Sequence, residues 1–322
     1  MLLEFKDVKT YFKTESGIAK SVDGISFTID SGETVAIVGE SGSGKSVTAL
    51  STIGLLDKDN IIQEGSILFD GNNLLNLSKE EMRKKRGNDI SMIFQEPMTS
   101  LNPALKIGYQ IAEVFRNHFN LDKKTAKEKA IEMIKKVEIP EAELIYKSYP
   151  HELSGGMRQR VMIAMALASN PKLLIADEPT TALDVTIQAG VLDLIKDLKD
   201  EYNTGVMFIT HDLSVVAEIA DFVNVMYAGK IVEKASVEEL FENPLHPYTK
   251  GLLKSRPTIG KKDRLTEIKG QVPSPVELKE NCHFCDRCEF AKDICFKKVP
   301  KEIDYNGHKV SCFLYSEGEE NE

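Results

Sequence analysis

The 322-residue chain is long enough for one large domain and a smaller one. A chain of this length buries roughly 75% of its unfolded surface, so it needs no disulfides for stability. Its apolar (42%) and charged (28%) fractions are those of an ordinary soluble globular protein, and its net charge of −9 argues against a general nucleic-acid binder. The amino terminus lacks a signal-peptide pattern, and no apolar stretch reaches bilayer-spanning length. We therefore expect a soluble, cytoplasmic protein whose membrane role would come through a partner.

The first part of the chain predicts two kinds of sheet. Residues 3–9, 25–29 and 66–69 resemble strands of a small antiparallel sheet. The β-rich run at 34–38 leads into a glycine-rich turn, and a helix is predicted from Lys45 to about Leu55. A strand that runs through such a turn into a helix is typical of α/β proteins with a parallel sheet.

Residues 39–46, GESGSGKS, fit the pattern G-x-x-x-x-G-K-S/T in full, between the predicted strand and helix. Glycines let successive backbone N–H groups point at phosphate oxygens, and the start of the helix adds further donors. Lys45 can reach the β- and γ-phosphates, and the Ser46 hydroxyl can ligate Mg²⁺. The residues expected to bind the nucleotide are Gly39, Ser41, Gly42, Ser43, Gly44, Lys45, Ser46 and Val47.

The middle of the chain predicts an inserted helical subdomain followed by two more buried strands. Apolar residues recur at helical spacing in 125–137, within a region of changed character from 107 to 149. The runs 172–176 and 205–209 predict strands of the parallel sheet. The first of them leads into Asp177 and Glu178, at the sheet edge where ligands bind in α/β folds. Asp177 suits a Mg²⁺ shell, and Glu178 suits polarising a water molecule.

A third motif narrows the class. Leu153-Ser154-Gly155-Gly156 resembles the LSGGQ signature of ABC ATPases, with Met157 in place of the glutamine. The resemblance implies an α/β P-loop NTPase cassette that hydrolyses ATP with Mg²⁺. Such a cassette has a mixed RecA-like core, an antiparallel β subdomain and a helical subdomain at about 97–160, within a domain of residues 1–235. It also implies that Ser154, Gly155 and Gly156 face the γ-phosphate held by an opposite subunit.

The other landmarks of that family follow in order. Gln95 resembles the Q-loop glutamine that touches Mg²⁺ and water, and Asp184 lies in the segment that resembles the D-loop. His211 resembles the switch histidine that contacts the γ-phosphate. An aromatic residue before the P-loop is expected to stack on adenine; the spacing favours Phe12, with Tyr11 as the alternative. With these, the resemblance implies that Lys45, Gln95, Glu178 and His211 are the catalytic residues.

Residues 94–103, 243–249 and 270–273 resemble one branch of the family, the ATPases of dipeptide and oligopeptide permeases, which also includes nickel importers. This resemblance covers essentially the whole chain and makes 236–322 the branch's carboxyl-terminal extension. It implies a peripheral subunit on the cytoplasmic face of the membrane, docked to two transmembrane permease subunits. A second, related ATPase and an external solute-binding protein are also implied; a homodimer is the alternative to the heterodimer. The solute stays open between dipeptides, oligopeptides and nickel.

Two other functions are less well supported. Soluble ABC proteins of translation or DNA repair carry two cassettes or a long coiled coil, and this chain predicts one cassette and neither feature. A binding module with a degenerate ATPase is disfavoured because Lys45, Asp177, Glu178 and His211 are all present.

All five cysteines lie at or after Cys282, which predicts a small Cys-rich module rather than a disulfide framework. Clustered thiolates select zinc or an iron–sulfur cluster. The permease branch commonly has the spacing C-x₅-C-x₆-C…C, so the resemblance implies that Cys282, Cys288, Cys295 and Cys312 hold a 4Fe–4S cluster and that Cys285 is extra. Structural Zn²⁺ is the second possibility, and free thiols are the third.

Overall fold

The computed structural model describes residues 1–96, 100–181, 183–255 and 268–316, with only the backbone described at Val185 and Thr186. The chain divides into two compact units. The first comprises Met1–Leu2, Ile29–Thr34 and Asn76–Ile209; the second comprises Leu3–Thr28, Val35–Leu75 and Thr210–Glu322.

The described residues form both strands and helices along most of the chain, as expected of an α/β protein. The strands are β1 (Leu3–Thr14), β2 (Gly17–Ile29), β3 (Thr34–Val38), β4 (Ile61–Phe69), β5 (Asn72–Asn73), β6 (Ile90–Ile93), β7 (Leu173–Asp177), β8 (Gly205–Thr210), β9 (Phe222–Tyr227), β10 (Lys230–Ser236), β11 (Glu302–Tyr305) and β12 (His308–Ser311). The helices are α1 (Lys45–Ile53), α2 (Lys79–Lys85), α3 (Ile107–Phe119), α4 (Lys123–Lys136), α5 (Ala142–Ile145), α6 (Gly155–Leu167), α7 (Val185–Tyr202), α8 (Leu213–Ile219), α9 (Val237–Glu242) and α10 (Pro247–Lys254).

The second unit contains both antiparallel and parallel strand pairs. Its small sheet has the order β2-β1-β4-β5, and β4 pairs antiparallel with both β1 and β5. Elsewhere in this unit β3 runs parallel to β9, while β10 and the hairpin β11–β12 continue antiparallel from β9. Every residue of β3 is buried, as a strand covered on both faces requires. The predicted antiparallel sheet is present, with β1 and β2 longer than the runs at 3–9 and 25–29.

Helix α1 starts and ends at glycines in the left-handed conformation. Gly44 precedes it with φ 106°, and no side chain caps this end, so the first N–H groups of the helix point out of its amino terminus. At the other end the N–H of Gly54 (φ 64°) donates to the carbonyls of Leu50 and Ser51. The helix therefore stops at Ile53, two residues before the predicted end.

The first unit carries three parallel strands and the inserted helices. Strands β6, β7 and β8 pair in parallel, and β7 and β8 are buried throughout. Helix α4 begins one residue after Asp122, whose side chain accepts a hydrogen bond from the N–H of Thr125, and it buries Ala126, Ala130 and Ile134 as the apolar periodicity predicts. The predicted start of the helical subdomain, at about residue 97, lies outside the described residues.

The carboxyl-terminal part corrects one prediction. The prolines at positions 244, 247, 257, 273 and 275 predict that long regular elements are broken up after residue 236 and that an extended connector leads to the cysteines, but the short helices α9 and α10 lie there. Pro247 is the first residue of α10, a position that proline favours because the missing N–H has no helical partner there. Residues 232–316, as far as they are described, belong to the same compact unit as β3, and β12 pairs with β10. The acidic tail at 317–322 lies outside the described residues.

Candidate functional site

The glycine-rich loop between β3 and α1 needs its glycines at both ends. A Cβ atom on Gly39 would lie 2.1 Å from the carbonyl oxygen of Met226, and one on Gly44 would lie 2.3 Å from that of Ser21. Gly44 also has the left-handed φ that other residues adopt only with strain. Larger residues at either position would push the loop off the backbone beneath it. The loop conformation is therefore fixed by close backbone packing.

Lys45 and Ser43 give this loop its polar character. The Lys45 ammonium is buried and donates to the carbonyl oxygens of Gly39 (2.8 Å) and Glu40 (3.0 Å). The Ser43 hydroxyl is buried, and within the described residues it has no hydrogen-bond partner. Ser46, at the start of α1, is exposed. A buried cation, an unpaired hydroxyl and uncapped helix N–H groups together form a loop suited to an anion such as a phosphate group.

The two candidate aromatic residues point to opposite faces of β1. The Tyr11 hydroxyl donates to the Asp23 carboxylate, which also pairs with Lys230 at 2.8 Å, and burial together with this bond raises the pKa of Tyr11. Phe12 shares the other face with Thr10, whose hydroxyl lies 3.1 Å from that of Ser51 on α1. Phe12 thus lies on the side of β1 that packs on the P-loop helix, which favours Phe12 over Tyr11 as the adenine contact.

In the first unit, Glu178 directly follows β7, and its carboxylate accepts hydrogen bonds from two side chains. The Gln95 amide donates to Glu178 Oε2 at 3.0 Å, and the Thr181 hydroxyl donates to the same oxygen at 2.9 Å. The backbone of Glu178 has φ 47°, a left-handed conformation that costs roughly 1–2 kcal/mol for a residue with a Cβ. Asp177 is buried at the end of the strand. The structure therefore brings Gln95 and Glu178 together, as two of the predicted catalytic residues.

Thr181 is a residue that the sequence reasoning missed. It lies three residues after Glu178, at the end of a turn. The backbone N–H of Thr181 donates to the Glu178 carbonyl oxygen at 3.2 Å. A threonine at that spacing from an acid can bond to it, so the signal was present in the sequence.

The signature segment begins helix α6. Ser154 caps this helix by accepting a hydrogen bond from the Met157 N–H at 3.3 Å. A Cβ atom on Gly155 would meet nothing within 4 Å, while one on Gly156 would lie 2.8 Å from the Ile187 side chain of α7. Gly156 is thus required for packing inside this unit. Ser154 and Gly155 are exposed and available to a ligand or a partner.

The remaining predicted residues lie at helix starts and strand ends. Asp184 caps α7, and its carboxylate accepts from the Ile187 N–H at 3.0 Å. Ala182, two residues before Asp184 in the segment that resembles the D-loop, lies outside the described residues. His211 is exposed and directly follows β8. The nucleotide-binding roles of Asp184 and His211 remain predictions.

Cys285, Cys295 and Phe313 form a small apolar cluster, against which Cys282 packs, while Cys282 and Cys288 also pack against a larger core cluster of the same unit. Burial, with the nearby thiols of Cys295, Cys285 and Cys312 adding, raises the pKa of Cys282 to about 12. Burial likewise raises the pKa of Cys312 to about 11, with contributions from Cys288 and Cys295.

Thiolates are ligands of zinc and of iron–sulfur clusters, so the donor chemistry of the four predicted ligands fits such a centre. Nevertheless, in the part of the chain that the structure describes, no group of three or more His, Cys, Asp or Glu side chains is arranged to hold a metal ion. The same described part has no helix that combines the length and the apolar character of a membrane span.

Comparison with known proteins agrees with these features. The ABC transporter family matches residues 22–181, and the C-terminal region of oligopeptide/dipeptide transporters matches residues 232–295. The oligopeptide transport ATP-binding protein AppD of Bacillus subtilis is 55% identical and is aligned over 98% of this chain and 97% of its own length. The protein OppD of Haemophilus influenzae, described in the same words, is 49% identical over 98% of both chains.

Solved structures show the same fold. The ATP-binding cassette MJ0796, in a dimeric post-hydrolysis state bound to ADP and Pi, has a TM-score of 0.66 and 31% identity, covering 73% of this chain and 99% of that one. The protein CbiO1 of Clostridium perfringens, part of the transporter complex CbiONQ, has a TM-score of 0.63 and 26% identity, covering 75% and 91%. The cassette fold predicted from the sequence is thus confirmed.

Proposed function

This chain belongs to the ATP-binding subunits of ABC transporters, in their oligopeptide and dipeptide branch, and we propose that it hydrolyses ATP to drive peptide import through a membrane permease. The observation that carries this proposal is the 55% identity to an oligopeptide transport ATP-binding protein along nearly the whole of both chains. The match at residues 232–295 to the transporter C-terminal region supports the peptide branch in particular.

We propose the following roles in the reaction ATP + H₂O → ADP + phosphate. The P-loop amides and Lys45 hold the β- and γ-phosphates, and Phe12 stacks on the adenine. Ser46, Gln95 and Asp177 would hold Mg²⁺, which would supply positive charge to the phosphate oxygens. Glu178 orients the attacking water molecule and is itself held by Gln95 and Thr181. His211 contacts the γ-phosphate.

The signature segment is proposed to act on a second subunit. Ser154 and Gly155 are exposed at the start of α6, where helix N–H groups favour an anion. In a dimer of cassettes they would face the γ-phosphate held by the partner, with Gly156 and Asp184 beside them. We propose a related second ATPase as this partner, two transmembrane permease subunits, and an external solute-binding protein, with this chain at the cytoplasmic face of the membrane.

Purification of the tagged chain from solubilised membranes tests this assembly. We expect two integral-membrane proteins and a second ATP-binding subunit to co-purify with it, and the tagged chain as the sole ATPase would indicate a homodimer. Recovery of the chain with ribosomes or DNA and without a permease would contradict a transport function. Binding of labelled peptides or Ni²⁺ to the cognate external receptor then identifies the solute.

We further propose that Cys282, Cys288, Cys295 and Cys312 hold a 4Fe–4S cluster, with Zn²⁺ as the alternative. Support comes from their spacing and from the packing of Cys282 against the cluster that contains Cys295. A module of this size, rich in turns and short elements, gains folding free energy from a bound metal centre.

Anaerobic purification tests the cluster. We expect brown protein that contains iron and sulfide, with broad absorbance at the boundary of the visible and ultraviolet. Cys288→Ser is expected to lose the colour and most of the iron, whereas Cys285→Ser, the matched control, is expected to keep both. Colourless protein that contains zinc would reject the cluster, and equal iron loss in both variants would reject the ligand assignment.

A further inference from the structure

The second residue of the P-loop, Glu40, forms an ion pair and a hydrogen bond with residues from the carboxyl-terminal part of the same unit. Its carboxylate forms a two-pronged ion pair with Arg287, with Nη1 to Oε2 at 2.8 Å and Nη2 to Oε1 at 3.2 Å. Its backbone N–H donates to the Tyr248 hydroxyl at 2.9 Å. Its carbonyl oxygen accepts from the Lys45 ammonium at 3.0 Å. Glu40 therefore links the phosphate-binding lysine to two residues more than 200 positions later in the chain.

The Arg287 side chain is buried and is held by several hydrogen bonds. Its side chain is only 6% exposed. Besides Glu40, its guanidinium donates to the carbonyl oxygens of Lys269 (2.9 Å) and Ile268 (3.2 Å) and to the Tyr227 hydroxyl (3.3 Å). These bonds use all five of its N–H groups. An arginine with every donor engaged has one available orientation, so the position of Glu40 is set by the position of Arg287.

Arg287 also lies in the cysteine-bearing turn. It is the second of the two residues between Cys285 and Cys288, and its own N–H donates to the Phe284 carbonyl at 3.0 Å. The Phe284 ring packs edge-on against Tyr227, with ring centroids 5.1 Å apart, and the guanidinium lies 5.9 Å from the centre of the Phe284 ring. The placement of the guanidinium therefore depends on the conformation of this turn.

The charge of Glu40 matters because Glu40 lies within a loop suited to phosphate. A bare carboxylate there would repel a triphosphate, and the Arg287 cation cancels that repulsion. We propose that Arg287 is a positioning residue of the nucleotide site: it holds and neutralises the Glu40 carboxylate, so that ATP affinity depends on the folded cysteine-bearing turn. This inference rests on the proposed function, in which residues 39–46 bind ATP.

Equilibrium titration with a fluorescent ATP analogue and Mg²⁺ tests the proposal, which predicts different effects on affinity when Arg287 or Glu40 is replaced. Arg287→Ala leaves a bare carboxylate and is expected to weaken binding about tenfold, and this difference should shrink at high salt. Glu40→Gln leaves the guanidinium uncompensated and is expected to bind at least as tightly as the unmodified protein. The double variant Glu40→Gln/Arg287→Ala is expected to regain most of the affinity lost in Arg287→Ala.

The controls separate this inference from the proposed function and from loss of the fold. Glu280→Ala removes another ion pair of the carboxyl-terminal part, to Lys20 at 2.7 Å, and should leave affinity unchanged. Lys45→Ala must weaken binding in the same assay; if it does not, the proposed function fails and not this inference. Thermal melting identifies any variant that does not fold. Wild-type affinity in folded Arg287→Ala would overturn the proposal. If Arg287→Ala does not fold, weaker binding by Glu40→Gln would overturn it.

Discussion

Replacing Glu178 by Gln is expected to lower the rate of ATP hydrolysis by about 10²–10⁴-fold, the usual effect of removing a general base. The amide keeps the shape of the side chain and can still bond to Gln95 and Thr181, but it cannot take a proton from the attacking water. ATP binding should therefore persist. We expect the variant to accumulate as an ATP-bound dimer, because closure of the dimer precedes the lost chemical step.

Phosphate release and gel filtration with Mg-ATP measure these two effects. Glu132→Gln makes the same chemical change at an exposed glutamate of α4 that pairs with Lys129, and it should hydrolyse ATP at the unmodified rate. Unchanged hydrolysis in Glu178→Gln would remove Glu178 from the catalytic role. A monomer in the presence of ATP would contradict the proposed dimer.

Replacing Lys45 by Ala is expected to weaken ATP binding by about 10- to 150-fold. The magnitude follows from losing a hydrogen bond to a charged group, worth about 1.5–3 kcal/mol. Lys45 is buried, and its ammonium lies against the carbonyl oxygens of Gly39 and Glu40 at the centre of the loop. Since a triphosphate carries several negative charges, no neutral side chain at this position can replace the interaction of the Lys45 ammonium with the phosphates.

The sequence predicted most of what lies within a short stretch of chain. The strand–loop–helix at 34–53 was predictable because buried β-branched residues, glycines and a helix start follow one another directly. The order of the motifs gave the cassette fold for a similar reason. Helix α10 was missed because Pro247 was interpreted as a helix breaker, although proline also fits the first turn of a helix.

Contacts between distant parts of the chain were not predictable in this way. The pair of Arg287 with Glu40 joins residues 247 positions apart, and neither residue belongs to a pattern that names the other. The choice between Tyr11 and Phe12 depended equally on tertiary structure, because the contact of Thr10 with Ser51 of α1 and the hydrogen bond from Tyr11 to Asp23 showed which ring faces α1. Local pattern predicted the glycine-rich loop, and tertiary packing determines which residues hold that loop in place.

The measurement that tests the central claim most directly is an equilibrium titration of Mg-ATP binding by the unmodified protein and by Lys45→Ala. Lys58→Ala, which removes an exposed lysine elsewhere in the same unit, is the matched control. We predict saturable binding at one site per chain, weakened only by the change at Lys45. Equal affinity in all three proteins, or no binding by the unmodified one, would contradict ATP binding by residues 39–46.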